Sequence, residues 1–325
     1  MPVSIRSDAT PVTPSLLRGW PLPAPGEDKY SRGSVLVIGG ARSTPGAALL
    51  AGTAALRAGA GKLVLAVPES VAVQLAVALP EAGVKGLPEN AQGSLRPDGL
   101  DRLADDLENC DALLIGPGLD DIDLTEELLA ALLGNGSAPV SVPVSGDAAI
   151  ILDAFALGCL PRLEDRLDPW RGRLVLTPNP TETGVLLGRD VDDLTADVVE
   201  VARRYDAVVS CQGLVARPPG SGAPGSGAPR SGPGSASGSG APEDASLWEI
   251  TTGYGGLGTS GSGDVLAGAI AGLRARGTTN AQAACWGSHL HAAAADRLAS
   301  RLGPMGFLAR ELADQLPALM LELST

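Results

Sequence analysis

SVLVIGGARSTPGAALLAGTAALRAGAGKLVLAV, residues 34–67, reads as strand, glycine turn, helix, glycine turn and strand. Ser34–Gly40 (SVLVIGG) is a continuous apolar run ending in glycine, the pattern of a strand buried on both faces. Pro45–Ala58 follows as an alanine- and leucine-rich helix with proline at its first position, where a missing N–H is no loss. Lys62–Val67 (KLVLAV) is the next strand. Strand, helix and strand in this order make the repeating unit of a parallel sheet covered by helices.

The alternation continues. Glu69–Leu79 reads as a helix, Asp111–Ile115 (DALLI) as a strand and Leu124–Leu133 as a helix. Val140–Val144 and Ile150–Leu152 are extended candidates, and Arg173–Leu176 (RLVL) is a clearer strand. Asp193–Arg204 is a helix, Ala207–Ser210 (AVVS) a strand, and Leu247–Thr252 a segment that could return beside it. Helices over Gly263–Arg276, Ala281–Arg301 and Phe307–Leu323 complete the pattern. It predicts an α/β fold around a mostly parallel sheet, with ligands at the carboxyl ends of the strands. RPPGSGAPGSGAPRSGPGSASGSGAPE (217–243) has almost nothing to bury and reads as a flexible tether or an overgrown hairpin loop. The expected organisation is an N-terminal extension over 1–28 and one domain over 29–325, interrupted by that insertion.

Composition excludes several function classes. The chain of 325 residues is 44% hydrophobic and 19% charged, enough for a sizeable core. Lys and Arg number 24 against 37 Asp and Glu, so the basic footprint of a nucleic-acid or anionic-membrane partner is missing. An aromatic content of 3% disfavours stacking platforms for single strands. Only two histidines occur, His289 and His291, too few for a histidine-rich metal site. Two apart on a helix, they do not share a face, and His291 reads as a packing residue. Cys110, Cys159, Cys211 and Cys285 stand far apart without a CxxC pair, as reduced thiols of a cytoplasmic protein would. Neither an apolar leader nor a membrane-spanning run is expected.

The strongest chemical signal is GTSGSGDVLAG (258–268). A glycine-rich turn feeding a helix exposes backbone N–H groups at the positive end of the helix dipole, which makes an anion site. Asp264 in the first helical turn is either a dipole-matched cap or a general base beside a bound phosphate, and the pattern leaves both open. This is not a Walker loop, because its GK[ST] lysine is missing. Gly39–Gly40, Thr44–Ala47, Gly116–Leu119 and Thr177–Glu182 each follow a strand. Singly they are ordinary turns; at one end of one sheet they ring a single site.

KYSRGSVLVIGG (29–40), TPGAALLAGTAALRAGAGKL (44–63), LPE (79–81), IGPGL (115–119), LDAFAL (152–157), LTPNPTE (176–182) and SGSGDVLAG (260–268) together resemble the NAD(P)H-hydrate dehydratases. LHAAAADRLA (290–299) and GFLARELADQLP (306–317) fit as well. The resemblance implies a ribokinase-like three-layer α/β/α fold and use of ADP or ATP, with Mg²⁺, to repair hydrated NADH or NADPH. In that reaction the hydroxyl of the hydrated nicotinamide ring is phosphorylated, and phosphate leaves to restore the ring. It also implies a homo-oligomer without nucleic-acid or membrane partners. Asp264 matches the family's catalytic base, and the amides of Gly261, Ser262 and Gly263 match its anion hole. Gln212, Gly213, Leu214, Val215 and Ala216 match the nucleotide loop. Ala47, Gly118, Asn179 and Asp264 match positions lining the hydrated dinucleotide, with Pro80 and Glu81 in a loop near it.

The sequence departs from that family's usual pattern in several places. Asn179 replaces the histidine of TPHPGE, Gln212 replaces a lysine, and Asp120 replaces the glycine after GPGL. Glutamine can hydrogen-bond a phosphate or ribose but adds no charge. Asp153 matches a strand-end acid without an assigned role. Two other readings share these residues: a small-molecule kinase of the same superfamily acting on a hydroxymethyl group, and a degenerate nucleotide-binding protein without turnover.

Overall fold

The structure is a computed structural model that describes residues 9–324 apart from residues 25, 27, 135–141, 145, 219–245 and 254. The strands are β1 (Thr10–Val12), β2 (Ser34–Ile38), β3 (Lys62–Pro68), β4 (Gly83–Leu87), β5 (Ala112–Ile115), β6 (Ala149–Leu152), β7 (Leu174–Leu176), β8 (Ala207–Cys211), β9 (Leu214–Ala216) and β10 (Leu247–Ile250). The helices in the first half are α1 (Pro14–Gly19), α2 (Pro45–Arg57), α3 (Glu69–Ala78), α4 (Ala104–Asn109) and α5 (Ile122–Leu133). Those in the second are α6 (Phe155–Leu163), α7 (Pro180–Leu187), α8 (Leu194–Tyr205), α9 (Ser262–Ala275), α10 (Asn280–Leu302) and α11 (Ala309–Ser324).

All the strands form one sheet in the order β1-β10-β9-β8-β7-β6-β5-β2-β3-β4. Every neighbouring pair is parallel except those of β9, which runs antiparallel to both β8 and β10. Alternation on β2 divides the core. Val35 and Val37 pack with residues of α1, α2, α9, α10 and α11, whereas Leu36 and Ile38 pack with those of α4, α5, α6 and α8. The three-layer α/β/α arrangement is therefore the one expected.

Some expectations differ. The stretch set apart as an extension joins the sheet: β1 pairs with β10, and the Trp20 ring stacks on Trp248 with centroids 6.2 Å apart. Leu247–Ile250 returns beside β9 rather than beside β8, because the chain reverses at Gln212–Gly213 and inserts a strand between them. Residues 142–144 form no strand; Val142 and Val144 donate to the Ala131 and Leu132 carbonyls at the end of α5. The first two residues of that extended candidate, 140 and 141, and most of 217–243 lie outside the described residues.

The alanine and glycine content of α2 and α9 has a packing reason. A Cβ on Gly268 would stand 2.0 Å from the Ala51 carbonyl oxygen, and one on Gly272 would stand 2.3 Å from that of Ala55. The helices meet backbone to backbone, a distance only glycine permits. That contact sets how closely α9 packs on α2.

Candidate active site

Because β2, β5, β6, β7 and β8 are parallel, the loops after them emerge at one edge of the sheet. The first two are stitched together. Gly40 N–H donates to the Pro117 carbonyl at 2.7 Å, and the Thr44 hydroxyl donates to the Gly118 carbonyl at 2.7 Å. Gly118 has φ +76, and a Cβ on it would stand 2.9 Å from that of Ala47. Ala47 and Gly118, matched to the dinucleotide site, thus touch.

Gly261 caps α9 with φ 86, which admits glycine readily and other residues poorly. Ser262 N–H donates to the Thr259 carbonyl at 3.2 Å, so it is not the free donor expected of the anion hole. The amides of Gly261, Gly263 and Asp264 have no protein acceptor among the described residues. These remain available to an anion. The Asp264 carboxylate folds back toward this turn, with Oδ2 3.7 Å from the Cβ position of Gly261. Burial pushes its carboxyl up to about 6.

Asp153 stands at the end of β6, 6% exposed, and accepts from the Thr177 hydroxyl at 2.8 Å. Burial, with Asp264 and Glu182 adding negative charge, raises it to about 7 despite the Thr177 bond. Its neighbour Ala154 has φ 50 and ψ −124, a strained conformation for a residue with a Cβ. A Cβ on Gly116 would collide with the Asp153 carbonyl oxygen at 1.8 Å.

Asn179 is chiefly a helix cap. Its side-chain oxygen accepts from Glu182 N–H at 2.9 Å, while Glu182 Oε2 accepts from Asn179 N–H at 2.8 Å. This capping box starts α7 and leaves the Asn179 side-chain NH₂ as its remaining donor. Gln212 and Gly213 have φ 43 and 82, the two positive values of a tight hairpin turn between β8 and β9. Gln212 is exposed at the site edge, but Leu214, Val215 and Ala216 are not loop residues. They form β9, buried and paired on both sides, so the ladder engages the backbone groups that a nucleotide loop would offer. Pro80 and Glu81 also fall elsewhere: α3 carries the chain back across the sheet, and they precede β4 at the opposite edge.

Sequence reasoning missed one contact. Ser262 Oγ lies 2.9 Å from His291 Nε2, with both residues buried. A lone imidazole on the buried face of an alanine-rich helix needs a polar partner, and that was the available signal.

The sequence profile described as NAD(P)H-hydrate dehydratase matches residues 35–217 and 241–318. The chain belongs to that family. The break in the match falls within the Gly/Ser/Pro insertion. The chain is 41% identical over 314 residues, 95% of each chain, to the ADP-dependent (S)-NAD(P)H-hydrate dehydratase of Xanthomonas campestris pv. campestris. It spans about half the length of the bifunctional NAD(P)H-hydrate repair enzymes it also matches. The Bacillus subtilis ADP/ATP-dependent NAD(P)H-hydrate dehydratase, co-crystallised with ATP/Mg²⁺, superposes with a TM-score of 0.72 at 25% identity, covering 98% of this chain and all of that one. A ribokinase-like superfamily protein of Enterococcus faecalis superposes at 0.74 with 19% identity over 99% and 98% of the two chains, which establishes the ribokinase-like fold.

Proposed function

We propose that this dehydratase-family protein converts the S epimer of hydrated NADH or NADPH back to the reduced cofactor, using ADP or ATP. The observation that carries the reading is Asp264 in the first turn of α9, beside amides without acceptors among the described residues. With ADP the balance is hydrated NADH plus ADP to NADH, AMP, phosphate and a proton. The ring hydroxyl oxygen bonds to the terminal phosphorus as the phosphoanhydride bond breaks, and Asp264 accepts the hydroxyl proton. The ring C–O bond then breaks, phosphate leaves, and loss of a ring C–H proton restores the double bond. The amides of Gly261, Gly263 and Asp264 would stabilise charge on the transferring phosphoryl oxygens.

Within this reading Gln212 and Gly213 border the nucleotide, and Ala47, Gly118 and the Asn179 NH₂ border the hydrated ring and its ribose. The described residues contain no group of three acidic, histidine or cysteine side chains able to cage a metal. Magnesium would then be carried on the nucleotide phosphates, which needs at most one or two carboxylates from the protein. The ion would supply charge neutralisation of those phosphates. A cytoplasmic setting and a homo-oligomeric state belong to the same reading; four free buried thiols support the former.

The test is to incubate the protein with (S)-hydrated NADH, Mg²⁺ and either ADP or ATP. Return of the reduced-nicotinamide absorbance is expected with at least one nucleotide. No recovery with either would overturn the proposal.

A further inference from the structure

We propose that His291 is a positioning residue for the anion site, holding the first residue of α9 through the Ser262 hydroxyl. The inference rests on reading that helix terminus as the phosphate site. Ser262 is 5% exposed and His291 6%, and their side chains meet at 2.9 Å across the α9–α10 interface. Ser262 is flanked by Gly261, against which Leu50 and Ala309 pack, and by Gly263, which has nothing within 4 Å of its Cβ position. Its hydroxyl and its Thr259 bond are the polar ties of Ser262 itself, beside the Val265 N–H bond to the Gly261 carbonyl. The amides of Gly263 and Asp264 follow directly from that residue.

His291 is itself held. One turn earlier on α10, the Ser288 hydroxyl meets that of Ser210 on β8 at 2.8 Å, in an otherwise apolar core. The seam β8–α10–α9 fixes α10 in register, which places the imidazole Nε2 within hydrogen-bond reach of the Ser262 hydroxyl. Burial pushes His291 down to about 4, which keeps the ring neutral at physiological pH. A neutral, buried ring is poorly placed to shuttle protons with bulk water; it can hold a hydroxyl in one place at every working pH.

The experiment compares His291→Phe, which removes the bond, with His291→Gln, whose amide reaches the position of Nε2. For each, ADP affinity is measured by calorimetry, kcat and KM by nicotinamide absorbance, and melting temperature by calorimetry. His291→Phe is expected to weaken ADP binding and lower kcat by about tenfold each, with KM for hydrated NADH changed less than about threefold. His291→Gln is expected to restore both to within about threefold. Should His291→Phe fail to fold, Ser262→Ala is read in its place, with the same loss expected. Wild-type ADP affinity and kcat in folded His291→Phe would overturn the proposal, as would equal losses in Phe and Gln variants that track melting temperature alone. If the wild-type protein binds ADP but restores no NADH, the proposed reaction fails while the ADP comparison still decides the role of His291.

Discussion

Gly268 on α9 and Ala51 on α2 are in backbone contact, so that a Cβ on the glycine would stand 2.0 Å from the alanine carbonyl oxygen. Backbone cannot yield as a side-chain tip can. Gly268→Ala should therefore destabilise the protein by about 2–3 kcal/mol or more, read by denaturant unfolding, and should lower activity by displacing the start of α9. Gly263 has nothing within 4 Å of its Cβ position. Gly263→Ala should leave stability within about 0.5 kcal/mol of wild type. Equal stability of the two variants would refute the packing argument.

Asp264→Asn should remove the proposed base while keeping its shape, lowering kcat by about 10²–10⁴-fold with the fold intact. As a base Asp264 must be ionised, so kcat/KM should fall with decreasing pH on an acid limb near its value of about 6. At that pH Asp153, raised to about 7, is still mostly protonated and exerts little charge on it. The limb should thus persist unshifted in Asp153→Asn. A pH profile in which that variant moves the limb by a full unit would reassign it.

The placement of Asp264 at a glycine-rich helix start is legible in the sequence, and the reason is local. Glycine before an N-terminal acid, as in Gly261–Asp264, marks a helix start, where an acid suits the dipole and free amides suit an anion. The long strands are equally readable, since SVLVI and KLVLAV can only be buried. Short elements are not. β1 is Thr-Pro-Val, β4 carries two glycines in GVKGL, and β9 has three residues after a turn whose first position is glutamine. Glutamine rarely adopts positive φ, so the hairpin lacks its usual Asn-Gly or Asp-Gly signal, and Leu214–Ala216 reads as loop. The His291 contact is hidden because its partner Ser262 is distant in sequence, and only the helix crossing brings them together.

Asp153 should weaken the fold at alkaline pH. Its folded value, about 7, exceeds its ordinary one, so the native state holds a proton that the unfolded chain has released. The resulting stability is fully present below about pH 4 and is lost as pH rises through about 7. Asp153→Asn should match wild type near pH 4 and exceed it by up to a few kcal/mol at pH 8. The amide oxygen can still accept the Thr177 hydroxyl. Chemical denaturation at the two pH values decides it; a variant less stable at pH 8 would show the carboxylate to be favourably paired.

Gln212→Lys would place a positive charge at the exposed first position of the β8–β9 turn. Lysine tolerates φ 43 no worse than glutamine does, so stability should barely change. ADP should bind about three- to tenfold more tightly, and the gain should shrink as salt rises. Calorimetric titration at low and high ionic strength measures both. Unchanged affinity would mean that this turn does not border the nucleotide.

The insertion should be dispensable. Arg217 N–H donates to the Ser246 carbonyl at 3.0 Å, so the described chain leaves β9 and re-enters β10 at hydrogen-bonded neighbours. Those ends lie at the edge of the sheet opposite Asp264, because β9 runs away from the Gln212–Gly213 turn. Deleting residues 219–241 keeps a loop long enough to join the two strands. Closing a shorter loop is entropically easier, by about 0.6 kcal/mol for each halving. The variant should therefore melt at the same temperature as wild type or slightly higher, with kcat and KM unchanged. A fall of several degrees in melting temperature would mean that the insertion packs on the body, and a change in KM alone would mean that it reaches the site.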